Sequence, residues 1–181
     1  MNVSHNTIEA LYELIKRCFA ENRWTDRFVS VLGVKFACNQ SASLIHHAIA
    51  HAYPQLSDLV GELCLERYNI AVEYGATPEG KQNYDTVTDM MKQLMERSID
   101  FQNMFIGVMK IAWENNDLQV YSNLMELLTK YNYIVEQTIL LHDKIGYYGE
   151  DNFIKFDHDV DKFWVLSETL FTPDEGEVDE I

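Results

Sequence analysis

Between Ser41 and Gly75 the chain combines residue types that bind transition metals with a spacing that aligns them. Advancing about 100° per residue from His47 on an α-helix puts His51 at about 40°, Asp58 at about 20°, Glu62 at about 60° and Glu66 at about 100°. Leu56, Leu59, Val60, Leu63 and Ile70 fall between about 120° and 220°, so imidazoles and carboxylates form a stripe beside an apolar one. Neutral imidazole nitrogens together with carboxylate oxygens suit iron, zinc or manganese, and residues four apart on a helix are close enough to share an ion. The candidate metal ligands are therefore His47, His51, Glu62 and Glu66. His46, at about −100°, points elsewhere and reads as a surface or interface residue. A plainer alternative stays open, because a charged stripe beside an apolar one is also what any amphipathic surface helix shows. Pro54 interrupts the pattern. It removes a backbone donor and collides with the carbonyl of Ala50, so a kink is expected just after the histidines.

The elements that must position these residues are helical throughout. A first helix, capped by Asn6 or Thr7, repeats Ile8, Leu11, Leu14, Ile15, Cys18 and Phe19 at three and four and runs to about Glu21. A break is expected at Asn22-Arg23, then a short helix from Thr25 to Leu32 with Gly33 as its stop. Ser41 is the expected cap of the central helix, which the pattern carries to Gly75, and residues 76–85 read as a loop. From Thr86 or Asp85 as cap, apolar spacing continues to Glu114, with Met90, Met91, Met95, Met104 and Met109 as core filler. Asn115-Asn116-Asp117 forms a tight turn with Asp117 as cap, and a helix of near-equal length returns antiparallel to Ile145, where Gly146 ends it. The aromatic segment 151–171 reads as a short docking helix. Its acidic run Asp157–Asp161 lacks the glycine and downstream glutamate of a calcium loop. Residues 173–181, PDEGEVDEI, form an acidic tail expected to be disordered or to bind a protein partner.

With 181 residues, 47% of them apolar, the chain is long enough to bury one core, which gives a helical domain over 1–172 and the tail over 173–181. A net charge of −15 argues against a surface that neutralises phosphates, so no direct nucleic-acid partner is expected. The same charge attracts cations. Cys18, Cys38 and Cys64 form no CxxC pair or zinc spacing, which fits a reducing, cytoplasmic setting. No apolar run approaches the roughly 20 residues needed to span a bilayer. Glycine-rich phosphate loops and nucleophile signatures do not occur, so nucleotide-dependent catalysis and hydrolase triads lack support.

Four long helices, a loop between the second and third and a tight turn between the third and fourth describe an all-α four-helix bundle with an extra C-terminal segment. Over about residues 41–147 the chain resembles the Dps-like mini-ferritins, members of the ferritin-like superfamily. Their second-helix pattern is met by His47, His51, Glu62 and Glu66-Arg67, followed by the turn EYGATPEG. The stretch ENNDLQVYSNLMELLTKYNYIVEQ is similar to that family's entry into its last helix. The resemblance implies a dodecameric homo-oligomeric shell that oxidises ferrous iron and stores the ferric mineral. Histidines of one subunit would face carboxylates of another, with His47 and His51 as nitrogen ligands, Glu66 as the bridging carboxylate and Glu62 beside it. The iron could be mononuclear or a pair, and zinc is the competing ion. Departures accompany the likeness. Lys35-Phe36 stands where the family has histidine and tryptophan, His51 stands where it has an acid, and no Glu-x-x-His pair of the larger ferritins is present. Two functions follow from this reading: an iron-oxidising storage protein, or a ferritin-fold structural or interaction protein without ferroxidase activity.

Overall fold

The first helix starts one turn earlier than its apolar pattern suggests, at Ser4, whose hydroxyl accepts from the Thr7 backbone N–H. Asp117 secures this end from the opposite turn: its carboxylate accepts from the Ser4 N–H at 3.2 Å and from the Ser4 hydroxyl at 2.7 Å. Asn6 and Thr7, the expected caps, lie inside the helix. The computed structural model describes residues 2–172, and the expected acidic tail, 173–181, lies outside the described residues. Helix α1 is continuous over His5–Phe36. The break expected at Asn22-Arg23 does not occur, because Glu21, Thr25, Phe28, Val31 and Leu32 extend the buried face through it. Gly33 is likewise inside the helix, where its weak propensity costs only about 1 kcal/mol against that burial. The helix stops where Ala37 turns left-handed (φ 56°) and donates back to the Leu32 carbonyl.

The second leg is built from three pieces: α2 (Asn39–Ile45), a π turn (His46–Ala50) and α3 (Ala52–Cys64). It ends well short of Gly75. A 3-10 turn, Glu66–Tyr68, leads to left-handed Asn69 (φ 60°), and residues 69–86 cross the bundle without regular structure. Ile70 and Val72 do pack against the core, but as parts of this strap. Only Ile70 lay on the apolar stripe that imitated a continuing helix. The strap follows α1 along its length: Tyr12 donates to the Ala71 carbonyl, Gln82 to the Trp24 carbonyl, and Lys35 to the Tyr84 carbonyl. Gly80 is needed on this path, since a Cβ there would stand 3.0 Å from the Arg23 carbonyl oxygen.

Helix α4 (Val87–Glu114) begins as expected, with the Thr86 hydroxyl accepting from the Asp89 N–H at 3.0 Å. Left-handed Asn116 (φ 62°) makes the tight turn into α5 (Leu118–Tyr148), which runs antiparallel to α4. Cross-helix bonds from Gln102 to Asn132 (2.7 Å) and between Ser98 and Thr138 (2.6 Å) fix their register. Helix α5 ends at Gly149 (φ 80°), one turn beyond Gly146. Of the five methionines expected as core filler, Met90, Met91 and Met109 are buried, whereas Met95 and Met104 are only half-buried. The architecture is thus two antiparallel helix pairs joined by one long crossover around a common apolar core. None of the described helices is long and apolar enough to cross a membrane.

Beyond the bundle, α6 (Phe153–Asp159) docks through fully buried Phe156, and Phe171 further on is buried too. Two carboxylates in this region serve as caps for bundle helices. Glu150 accepts from the Val87 and Thr88 N–H groups (2.9 and 2.8 Å) at the start of α4. Asp157 accepts from the Ser41 N–H (2.7 Å) at the start of α2, so the expected cap Ser41 is itself capped. Negative charge at a helix N-terminus is favourable both as a hydrogen-bond acceptor and against the helix dipole. Asp159 binds Lys162 at 2.8 Å, with His158 and Tyr148 also on its oxygens, and these contacts hold its carboxyl well below the usual range. Replacing Glu150 or Asp157 by alanine should each lower unfolding free energy by about 1–2 kcal/mol, read as a drop in the urea midpoint with the slope unchanged.

Candidate metal site

Pro54 sets the geometry of the site. It has no N–H to give the Ala50 carbonyl, and its ring crowds that oxygen. The chain takes one extra residue into the preceding turn: the His51 N–H bonds to the His46 carbonyl at 3.2 Å, closing a π turn. The freed Ala50 carbonyl receives the side-chain amide of Asn22 from α1 at 2.9 Å. On an ideal α-helix His46 and His51 would lie about 140° apart. In the wider π turn residues five apart stack, and their ring centroids are 4.4 Å apart. His47 joins them, at 5.2 Å from His46 and 5.5 Å from His51. One ligand nitrogen from each of the three lies within 4.8 Å of the others. His46 is therefore not turned away from the other two imidazoles. Reading the segment with a uniform 100° step hid it, although the proline that causes the change was visible.

His47 and His51 are exposed, whereas His46 is half-buried. Its Nδ1 is shielded from water and stands 3.3 Å from an Asp26 carboxylate oxygen of α1. That approach is close enough for an ion pair but out of line for a hydrogen bond. Glu62 and Glu66 lie elsewhere on the protomer. Eleven residues of helix separate His51 from Glu62, a rise of roughly 16 Å, and Glu66 sits on the 3-10 turn past the end of α3. Both are exposed. Glu62 borders a shallow groove with Asp58 and Phe171. Within one protomer, then, the two imidazoles come together and the two carboxylates do not reach them. Lys35, at the position where a further histidine ligand would stand, anchors the crossover strap.

The bundle interior holds a residue that the sequence reading passed over. Glu21 is 1% exposed and each of its oxygens meets an arginine: Arg17 Nε at 2.5 Å and Arg97 Nε at 2.7 Å. Arg17 also reaches Asp100 at 2.6 Å, and the Arg97 guanidinium lies over the Trp24 ring at 4.7 Å. A glutamate three residues after Cys18 on the apolar face of α1 was the available signal. Nearby, the Tyr53 and Tyr131 hydroxyls are 3.1 Å apart, and Tyr131 donates to the Ser98 carbonyl at 3.1 Å. Burial pushes both phenols up, and the Cys18 thiol as well. Burial also drives the Cys38 and Cys64 thiols up to about 12. A carboxylate-bridged metal pair inside such a bundle draws a glutamate from each of two helices and a Glu-x-x-His from each of the others. Here Glu21, the one buried carboxylate between α1 and α4 among the described residues, is neutralised by two guanidinium groups, so the donor set does not fit an internal metal centre.

Removing a partner from a fully buried ion pair costs about 3–5 kcal/mol. The Arg17 and Arg97 side chains are 28% and 33% exposed, and water can rehydrate them. Glu21→Ala should therefore cost less, about 1–3 kcal/mol in urea unfolding. Titration of the same variant with metal should match the wild type, because Glu21 is not in the histidine cluster.

No protein-family model and no curated protein sequence matches this chain. Solved structures do match its fold. An open-pore ferritin from the hyperthermophilic archaeon Archaeoglobus fulgidus superposes with a TM-score of 0.81 at 12% identity, covering 88% of this chain and 98% of that one. A closed form of the same ferritin, engineered by site-directed mutagenesis, gives 0.82 at 12% identity over 92% of this chain and all of the other. A humanized archaeal ferritin gives 0.82 at 10% identity with the same coverage. The fold is that of the ferritin-like four-helix bundle. At such identities the likeness concerns the backbone, and the chemistry must come from the residues present.

Proposed function

We propose that this protein is an iron-binding member of the ferritin-fold proteins, acting as a homo-oligomer and taking up ferrous iron on the outside of its bundle. The observation that carries the reading is the contrast between two places. Three imidazoles converge at the His46–His51 turn, the one three-ligand cluster among the described residues, whereas the bundle interior has its carboxylate committed to arginines. In this reading iron is substrate and cargo. His47 and His51 supply nitrogen, and Glu62 and Glu66 of a neighbouring protomer supply oxygen across a two-fold boundary, as in a Dps-like shell of twelve subunits. The separation of these pairs within one protomer is what such a shared site requires. Assembly is supported by apolar side chains on the α4–α5 face: Ile106, Trp113, Leu118 and Met125 are all 44% exposed or more, beside a cleft of about 460 Å³. A net charge of −15 would concentrate ferrous ions around the assembly. Three buried free cysteines agree with a cytoplasmic home.

One observation favours a second reading. Glu21, buried between α1 and α4, is paired to Arg17 and Arg97, an arrangement that suits a purely structural or interaction protein of the ferritin-like fold. Aerobic addition of ferrous iron to the metal-free protein, with ferric absorbance followed over time and size measured in parallel, separates the two. A large oligomer that oxidises iron faster than buffer, and loses about tenfold or more of that rate in His47→Ala/His51→Ala, is the expected result. An intact oligomer with only the uncatalysed rate would establish the second reading. A monomer in solution would remove the storage shell.

A further inference from the structure

The π turn joins to the candidate ligands a residue that a regular helix would have excluded, and this changes the kind of ion one protomer can hold. We infer that His46, His47 and His51 form a three-imidazole site within a single protomer, selective for a late first-row divalent ion of the Zn²⁺ type, with Asp26 as its positioning residue. The inference deepens the surface-capture reading: it shares His47 and His51 with it but needs no second subunit and no iron.

The donor chemistry points this way. Three neutral nitrogens with a fourth position open to water are a tetrahedral Zn²⁺ set, whereas hard, oxygen-rich sets suit magnesium, calcium or manganese. Nitrogens about 2.0–2.1 Å from a tetrahedral ion are about 3.4 Å from one another. One ring nitrogen of each histidine lies within 4.8 Å of the others, so closing the site takes a rearrangement on the ångström scale, available to exposed His47 and His51 by side-chain rotation. His46 is the fixed member, half-buried, with an Nδ1 shielded from water and lacking a hydrogen-bond partner. A metal-bound imidazole characteristically gives its other N–H to a carboxylate. Asp26 has an oxygen 3.3 Å from that Nδ1, out of line at present, and a small rotation of either side chain lets it accept the N–H, which leaves Nε2 for the ion. A buried nitrogen that would otherwise be left unpaired thus gains a role when metal binds.

The test uses tag-free, full-length, metal-free protein titrated with Zn²⁺ alone by calorimetry, and with Co²⁺ alone by visible absorption. The expected result is one saturable ion per protomer, with the intense Co²⁺ bands of a tetrahedral environment. His46→Gln and His51→Gln should each raise the Zn²⁺ dissociation constant by about tenfold or more, Asp26→Asn by about 10–100-fold at unchanged stoichiometry, and His142→Ala not at all. Circular dichroism and thermal melts on each variant confirm folding, and the exposed His51 keeps the test decisive if His46→Gln is unstable. Absence of saturable binding to the wild type, weak octahedral Co²⁺ bands, or unchanged affinity in a folded His46→Gln protein would each overturn the inference. Zinc binding without iron oxidation would retain this site and reject the storage reading. Iron oxidation with His46-independent zinc binding would do the reverse.

Discussion

The hydrogen bond from the Asn22 amide to the Ala50 carbonyl is the contact on which the rest of the arrangement depends. Pro54 makes it necessary by withdrawing the donor that carbonyl would have had, and an orphaned polar group in the helix interface would cost about 1–3 kcal/mol. Several features trace back to it. Asn22, which by type looked like the end of a helix, lies inside α1 and turns its side-chain amide to the neighbouring leg. The second leg is pinned to α1 at its bend, so the π turn occupies one fixed place in the bundle. The extra residue in that turn then brings His46 round to His51. A backbone defect, a cross-helix amide and a cluster of imidazoles are consequences of one missing N–H.

The interior follows a different principle. Where a ferritin-like bundle can place carboxylates around a metal, this one has a closed polar network: Glu21 held by Arg17 and Arg97, and Tyr53, Tyr131, Ser98 and Thr138 linked by short hydrogen bonds. Each of these groups is satisfied by protein. The arginines keep a positive potential around the Glu21 carboxylate, while three imidazoles gather on the outside of a chain of net charge −15. Likeness of backbone and likeness of chemistry therefore part company in this molecule. The C-terminal segment adds rigidity of its own, with Glu150 and Asp157 completing the N-termini of α4 and α2.

Much of the bundle could be read directly from the chain. The Thr86 cap, the span of α4 to Glu114, the antiparallel return through Asn115–Asp117 and the all-α class rest on local rules, namely hydrophobic period, capping chemistry and turn residues. Where tertiary contacts compete with those rules, the reading failed in identifiable ways. α1 runs through Asn22 because burial on both sides outweighs a weak breaker. Conversely, α3 stops at Cys64 although Ile70 continues the apolar stripe at a helical spacing, because a strap packed along α1 can bury the same residue. Asp117 stands at the expected cap position, but its carboxylate binds Ser4 across the bundle.

For the candidate site the division is similar. Sequence alone determined that His47 and His51 share a face, that Pro54 must distort the helix beside them, and that Glu62 lies further along the same leg, since these are statements about spacing and about one residue's missing hydrogen; Glu66, expected on the same helix, lies beyond its end. It could not fix how the distortion would be absorbed. That depended on whether another helix could satisfy the Ala50 carbonyl, and only the folded bundle, by bringing Asn22 and Asp26 of α1 against the turn, selected a π turn over a simple kink and so drew His46 into the cluster. The role of Glu21 was likewise set by distant arginine partners, one of them on α4, because a buried charge takes its meaning from what the fold packs around it.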